Sequence, residues 1–170
     1  MTHRRRWLIL FVVIQVLILA GITASWYAID IWGKEIQLKT VPIDPRDLLY
    51  GDYVALDYEV SDVPASLWKG EPNEWKGSPT SVYVRLTLKG ERWTVRTVSE
   101  DQPESTGGDV VLRAKASDTY SGTIHLDYGL ERYYVPEGAG RTLEQTRKPL
   151  LVTVKTSPWG QAKIVSLKRE

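Results

Sequence analysis

Three glutamates, Glu131, Glu137 and Glu144, fall in one stretch beside Arg132 and Arg141. Neighbouring carboxylates can serve as general acid and general base when burial separates their pKa values. The same residues have a structural reading, in which Glu131 and Glu137 accept backbone N–H bonds or pair with Arg and fix a loop. Gly138-Ala139-Gly140 ahead of a helix start has the outline of an anion cradle. It lacks the Lys-Ser/Thr ending of a P-loop, and the nearby glutamates repel phosphate. A second concentration lies upstream, where Arg46 and Asp47 precede Gly51-Asp52-Tyr53. There Asp52 can hydrogen-bond backbone amides in an Asx-type turn as a strand begins. Asp52, Glu131 and Glu137 are the carboxylates a hydrolase would use. His125 alternates with Ile124 and Leu126 and faces away from the core, with Asp127 on its own face as the expected partner. One usable His gives no support for a Ser-His-Asp triad.

Composition removes other chemistries. The 170 residues include no Cys and two His, so thiolate metal sites, disulfides and a cysteine nucleophile are excluded, and a His-rich zinc site is not expected. No metal or cofactor is expected. A formal net charge of +1 argues against a nucleic-acid binder.

The elements that must carry these residues begin with an anchor. Trp7 to Ile29 is an uncharged run, preceded by Arg4, Arg5 and Arg6 and followed by Asp30. As a helix it would be about 34 Å long, against about 30 Å of hydrocarbon core. Trp7 at one end, and Trp26 and Tyr27 at the other, suit membrane interfaces. Residues 1–6 are read as a cytoplasmic tail, 7–29 as a transmembrane helix and 30–170 as an extracytoplasmic domain, because positive charge stays inside. Small residues at Ala20, Gly21 and Ala24 leave a cleaved signal peptide as the alternative.

The domain reads as all-β, barrel or sandwich-like. Val54, Leu56, Tyr58 and Val60 alternate with polar neighbours in one strand, as do Val82, Val84, Leu86 and Leu88 in another. Gly90-Glu91 turns the second into Trp93–Val98. Further strands are expected near 36–41, 110–116, 123–128, 133–135, 150–155 and 163–167, eight or nine in all. Thr142 and Gln145 have capping-box spacing for one short helix near Arg141–Arg147, stopped by Pro149. Ser61–Pro79 reads as a long loop whose Trp68 and Trp75 either pin it to the domain or form an exposed glycan-binding face. Tyr53 and Tyr58 lie five apart and point to opposite sides of the sheet, one to the core and one to a surface.

The run Gly51-Asp52-Tyr53-Val54-Ala55-Leu56-Asp57-Tyr58 resembles the pattern of the GDYXXLXY family of bacterial membrane-anchored proteins. Tyr128-Gly129-Leu130-Glu131-Arg132-Tyr133-Tyr134-Val135-Pro136-Glu137-Gly138-Ala139-Gly140-Arg141, then Leu143-Glu144, is similar to that family's second block. Tyr50 stands where such proteins commonly have Arg. The resemblance implies a place in the bacterial envelope and association with a multi-span membrane protein, with no reaction attached. The expected function is therefore that of a membrane-anchored accessory or interaction protein. Its surface would draw on Arg46, Asp52, Tyr53, Tyr58, Glu131, Tyr133, Glu137, Arg141 and Glu144. The alternatives are an envelope hydrolase and a glycan-binding module.

Overall fold

The computed structural model describes residues 2–41, 53–70, 79–104, 107–119, 122–134 and 149–169. Helix α1 (Thr2–Trp32) takes in the expected 7–29 span and runs beyond it at both ends. The backbone gives no reason to stop at Ile29: Asp30, Ile31 and Trp32 are all compatible with a helix, and the helix ends only at Gly33. There the amide still reaches back to the Ile29 carbonyl at 2.9 Å. A Cβ on residue 33 would sit 2.2 Å from that carbonyl oxygen, so glycine permits the sharp exit.

Strand β1 (Lys34–Val41) follows at once and pairs antiparallel with β10 (Leu150–Thr156). β11 (Ala162–Arg169) continues this sheet on the far side of β10, and β3 (Asp57–Tyr58) extends it from β1. The larger sheet has the order β4 (Asp62–Pro64), β8 (Thr123–Asp127), β7 (Val110–Thr119), β5 (Thr80–Lys89), β6 (Arg92–Ser99). A two-stranded ribbon joins β2 (Tyr53–Ala55) to β9 (Arg132–Tyr134). Among the described residues the fold is mostly β with a single apolar N-terminal helix, as the sequence pattern implied.

Period-two patterning builds the core. Ile36 and Leu38 on β1 and Val152 and Val154 on β10 are buried on one side. They belong to the same cluster as Val82, Val84 and Leu86 on β5, Leu112 on β7 and Leu126 on β8. Two buried threonines of this layer are hydrogen-bonded. Within the smaller sheet the Leu150 amide of β10 donates to the Thr40 hydroxyl of β1 at 2.8 Å, while Thr156 of β10 donates to the Val111 carbonyl of β7 at 3.1 Å and so ties the two sheets together.

Two expectations are corrected. The strand read through 53–60 is divided: β2 pairs with β9, β3 pairs with β1, and the chain turns at Glu59–Ser61. Burial still alternates across the break, with Val54, Leu56, Tyr58 and Val60 inside, which is why the pattern looked continuous. The loop expected at 61–79 opens with strand β4 and a 3-10 turn at Ala65–Leu67. Pro64 occurs in β4 because that strand is an edge, where a missing N–H is tolerated. Eleven strands lie among the described residues, more than the expected eight or nine, because of this subdivision. The short helix near Arg141–Arg147 lies outside the described residues.

The β10–β11 turn gives a first test of local geometry. Gly160 has φ +87°, and a Cβ there would come 2.8 Å from the Arg113 Cγ. Its carbonyl accepts the Arg113 amide at 2.8 Å, so this turn is fastened to β7. Gly160→Ala is expected to cost about 1–2 kcal/mol from the left-handed backbone alone. Chemical denaturation of the full chain in detergent micelles would measure it, and an unchanged midpoint would contradict the geometry.

Candidate functional site

The two motif blocks meet, and the ribbon of β2 and β9 is where they do so. Val54 is opposite Tyr133 and Ala55 opposite Arg132. One residue on, the Leu56 amide donates to the Glu131 carbonyl at 2.8 Å. Two tyrosines then lock the blocks reciprocally. Tyr58, 1 % exposed, donates its hydroxyl to the Leu130 carbonyl at 2.7 Å. Tyr128 donates to the Val60 carbonyl at 2.8 Å. Their rings pack edge to face with centroids 6.4 Å apart. Burial, and then the nearby Glu131 charge, raise both phenol pKa values far above the ordinary range, so both remain neutral donors.

Tyr58 is therefore the core member of the Tyr53/Tyr58 pair and contributes no exposed surface. Strand alternation supplies the reason: Tyr58 shares its face with Leu56 and Val54, all buried. Tyr133 is half-buried and packs against the core, while its neighbour Tyr134 is 72 % exposed. The backbone of Tyr53 pairs with Tyr134. Arg46, Asp52, Glu137, Arg141 and Glu144 lie outside the described residues, as does Trp75.

A carboxyl pair sits in the turn between β8 and β9. The Tyr128 amide donates to Glu131 Oε1 at 2.6 Å, and the Gly129 amide donates to Asp127 Oδ1 at 2.8 Å. Gly129 has φ +71°, which lets the chain reverse tightly enough for both carboxylates to reach backbone amides. The two side chains are also placed so that a protonated one can share a hydrogen bond with the other. Two carboxyl groups can share such a bond only if one holds a proton. Glu131 is the member that binds a proton more tightly: burial first, then the hydrogen bond and charge of Asp127, push its pKa up to about 7. For Asp127 burial acts upward. The hydrogen bonds from Glu131 and Gly129 and the charges of Lys115 and His125 outweigh it and hold the pKa below its ordinary value. Asp127 also lines an open depression of about 360 Å³ with Ser81, Arg113, Lys115 and Tyr128.

His125 does face outward, but its partner is different from the one expected. Its Nδ1 lies 2.8 Å from Asp62 Oδ1, because β4 pairs with β8 in a register that sets Asp62 opposite His125. Same-strand neighbours two apart are farther away than a directly opposed pair, so cross-strand geometry wins. Asp127 turns to the β8–β9 turn instead. Trp68 packs partly buried against the core and bridges to Val98, which pins the chain there to β6.

Sequence reading missed Asp127 as the partner of Glu131 and Tyr128 as the counterpart of Tyr58. A signal for the first was present: Asp127-Tyr128-Gly129 is an Asx-turn spelling, and Glu131 follows within the same turn. Among the described residues no group of acidic and His side chains is placed to hold a metal ion.

Comparison with known proteins adds a family match: a family model described as "GDYXXLXY protein" matches residues 15–167. No curated protein and no solved structure matches the chain.

Proposed function

The chain belongs to the GDYXXLXY family, and we propose that it is a membrane-anchored interaction module of the bacterial envelope, engaging a multi-span membrane protein through its extracytoplasmic β-domain. The observation that carries this reading is where the motif side chains go. Tyr58, Tyr128 and Glu131 direct their polar atoms to Leu130, Val60 and Tyr128 of the protein itself. Their chemistry is spent on joining the two blocks, which leaves the block surface, with Tyr134 exposed at its edge, as the feature presented outward. The anchor reading draws on the helical segment 3–32, whose most apolar 18-residue window has a mean hydropathy of 2.6. It is long and apolar enough to cross a membrane. The orientation draws on Arg4–Arg6.

The test has two arms. A reporter active only outside the cytoplasm, fused after Glu170, is expected to be active; activity of a cytoplasm-only reporter would overturn the orientation. A photo-crosslinking residue at Tyr134 is expected to capture one multi-span protein in native membranes, with the same residue at Lys89 as a control. Equal capture at both positions, or none, would count against the module.

A second reading rests on the Asp127–Glu131 pair. Two carboxyl groups with pKa values driven apart are an acid–base arrangement, and Asp127 opens onto a depression that also holds Arg113 and Lys115. That supports an envelope hydrolase. The glycan-binding reading is weaker, since Trp68 is packed against the core.

A further inference from the structure

The junction between helix and domain is built as a unit. Only Gly33 separates α1 from β1, and Ile29 in the last helical turn is completely buried. Lys163 of β11 lies 2.5 Å from the Asp30 carboxylate, and Lys155 of β10 donates to the Asp30 carbonyl at 2.9 Å. Lys155 is also 3.6 Å from Glu35. The helix therefore leaves the domain in a fixed direction, and both acidic groups at the junction are matched by lysines of the domain.

This fixes which part of the domain faces the plane where α1 ends. Lys34 is opposite Thr156, so β10 runs toward the helix end and its turn continues past it. Trp159 sits in the tight turn that closes β10 onto β11, where the Gly160 amide donates to the Ser157 carbonyl at 3.0 Å. A cleft of about 200 Å³ is lined by Trp32, Lys34, Val111 and Pro158, so the turn and the helix end are direct neighbours. The surface around it is amphipathic: Trp32 is 70 % exposed and Trp159 36 %. The Trp159 indole N–H is already engaged by Gln161 at 3.1 Å, which leaves the ring as an apolar edge with a polar tip.

We infer that the 157–160 turn and Trp32 form a membrane-contacting collar, in which Trp32, Pro158 and Trp159 enter the headgroup and glycerol layer of the phospholipid bilayer that holds α1. The inference rests on reading α1 as a membrane span. Indole rings settle at this depth because their apolar body and polar N–H match its gradient. The internal Lys–Asp and Lys–Glu pairs keep uncompensated carboxylates away from anionic headgroups. The collar holds the β-domain against the membrane with its motif ribbon at a set height, where an extended linker would let it swing.

The absence of Cys from the chain makes the test direct. Single cysteines at Leu17, Pro158 and Lys168 are spin-labelled in the full-length protein. Each variant is reconstituted in phosphatidylethanolamine vesicles containing phosphatidylglycerol. Collision rates with oxygen, enriched in hydrocarbon, and with a water-soluble nickel chelate report depth. Lys168 lies six residues from Ala162 along β11, about 20 Å from the junction. The expected order is Leu17 deep, Pro158 interfacial with reduced nickel access, and Lys168 in water. Pro158 as exposed to nickel as Lys168, with Leu17 deep, would overturn the collar and leave the anchor standing. Leu17 in water would overturn the anchor itself. Should the Pro158 variant misfold, Trp159→Phe with lipids brominated near the glycerol serves instead. Loss of a quenched emission component supports the collar, and loss of an unquenched one overturns it.

Discussion

Truncation of Tyr58 or Tyr128 to Ala is expected to remove about 3–5 kcal/mol of stability, as for other large buried aromatics. Against a typical total of about 5–15 kcal/mol, either change takes the domain to the edge of unfolding. The more discriminating substitution is Phe, which keeps the ring and removes the hydroxyl. Tyr58→Phe strands the Leu130 carbonyl and Tyr128→Phe strands the Val60 carbonyl, each in surroundings that exclude water. An unsatisfied buried acceptor costs about 1–3 kcal/mol. The rings touch and the bonds tie the same two segments, so the double variant is expected to depart from additivity. Urea unfolding of the full chain in detergent micelles, followed by near-ultraviolet circular dichroism, would measure all three. A Tyr58→Phe variant within about 0.5 kcal/mol of the parent, the scatter of neutral surface changes, would mean that the hydroxyl has another partner and that the lock is not what joins the blocks.

That lock explains why the motif was legible as a motif but not as a device. Alternation marked Val54, Leu56, Tyr58 and Val60 as one buried face, and they are one. Period-two patterning also located β5, β6, β7, β10 and β11 close to their observed bounds. What patterning does not encode is pairing. Nothing along the chain says that Asp62 will face His125 across β4 and β8, or that Tyr58 will find a carbonyl in a segment 72 residues away. Those facts depend on strand order and register, which the whole sheet determines. The break at Glu59–Ser61 was hidden for a related reason: a turn that keeps burial in phase leaves no mark on the hydrophobic pattern. Local chemistry was more visible. An Asx-type contact of the kind expected of Asp52, which lies outside the described residues, is made by Asp127 in the β8–β9 turn, where the amide of Gly129 meets its carboxylate.

Glu131 should make stability depend on pH in a direction opposite to that of an ordinary salt-bridged carboxylate. Its pKa is raised from 4.5 to about 7 in the folded protein, so the native state binds the proton more tightly than the unfolded chain does. The contribution is then fully present below about pH 4.5 and is lost as the pH rises through about 7. Asp127 has its pKa lowered below 3.8, so its own contribution is complete above that value and lost only in acid. The two windows do not overlap, and from about pH 4.5 to about 7 the Glu131 effect acts alone. Glu131 is only partly buried, so solvent screening reduces the effect to about 1–2 kcal/mol. Glu131→Gln mimics the protonated form. Its NH₂ can donate to Asp127 and its carbonyl can accept the Tyr128 amide. The expected result is a flat profile across that window, with stability above the parent at the alkaline end. Glu131→Leu, which leaves the Tyr128 amide without its acceptor, is expected to lose about 1–3 kcal/mol at every pH. A parent profile that rises with pH would show that Glu131 is ionised in the fold and that the shared proton does not exist. The same variant separates the two functional readings. If the pair braces the ribbon, Glu131→Gln retains the Tyr134 crosslink to the membrane partner. If it is an acid–base pair, any turnover the parent shows on peptide, ester, glycan or phosphoester substrates falls by about 10²–10⁴ in a protein that is no less stable.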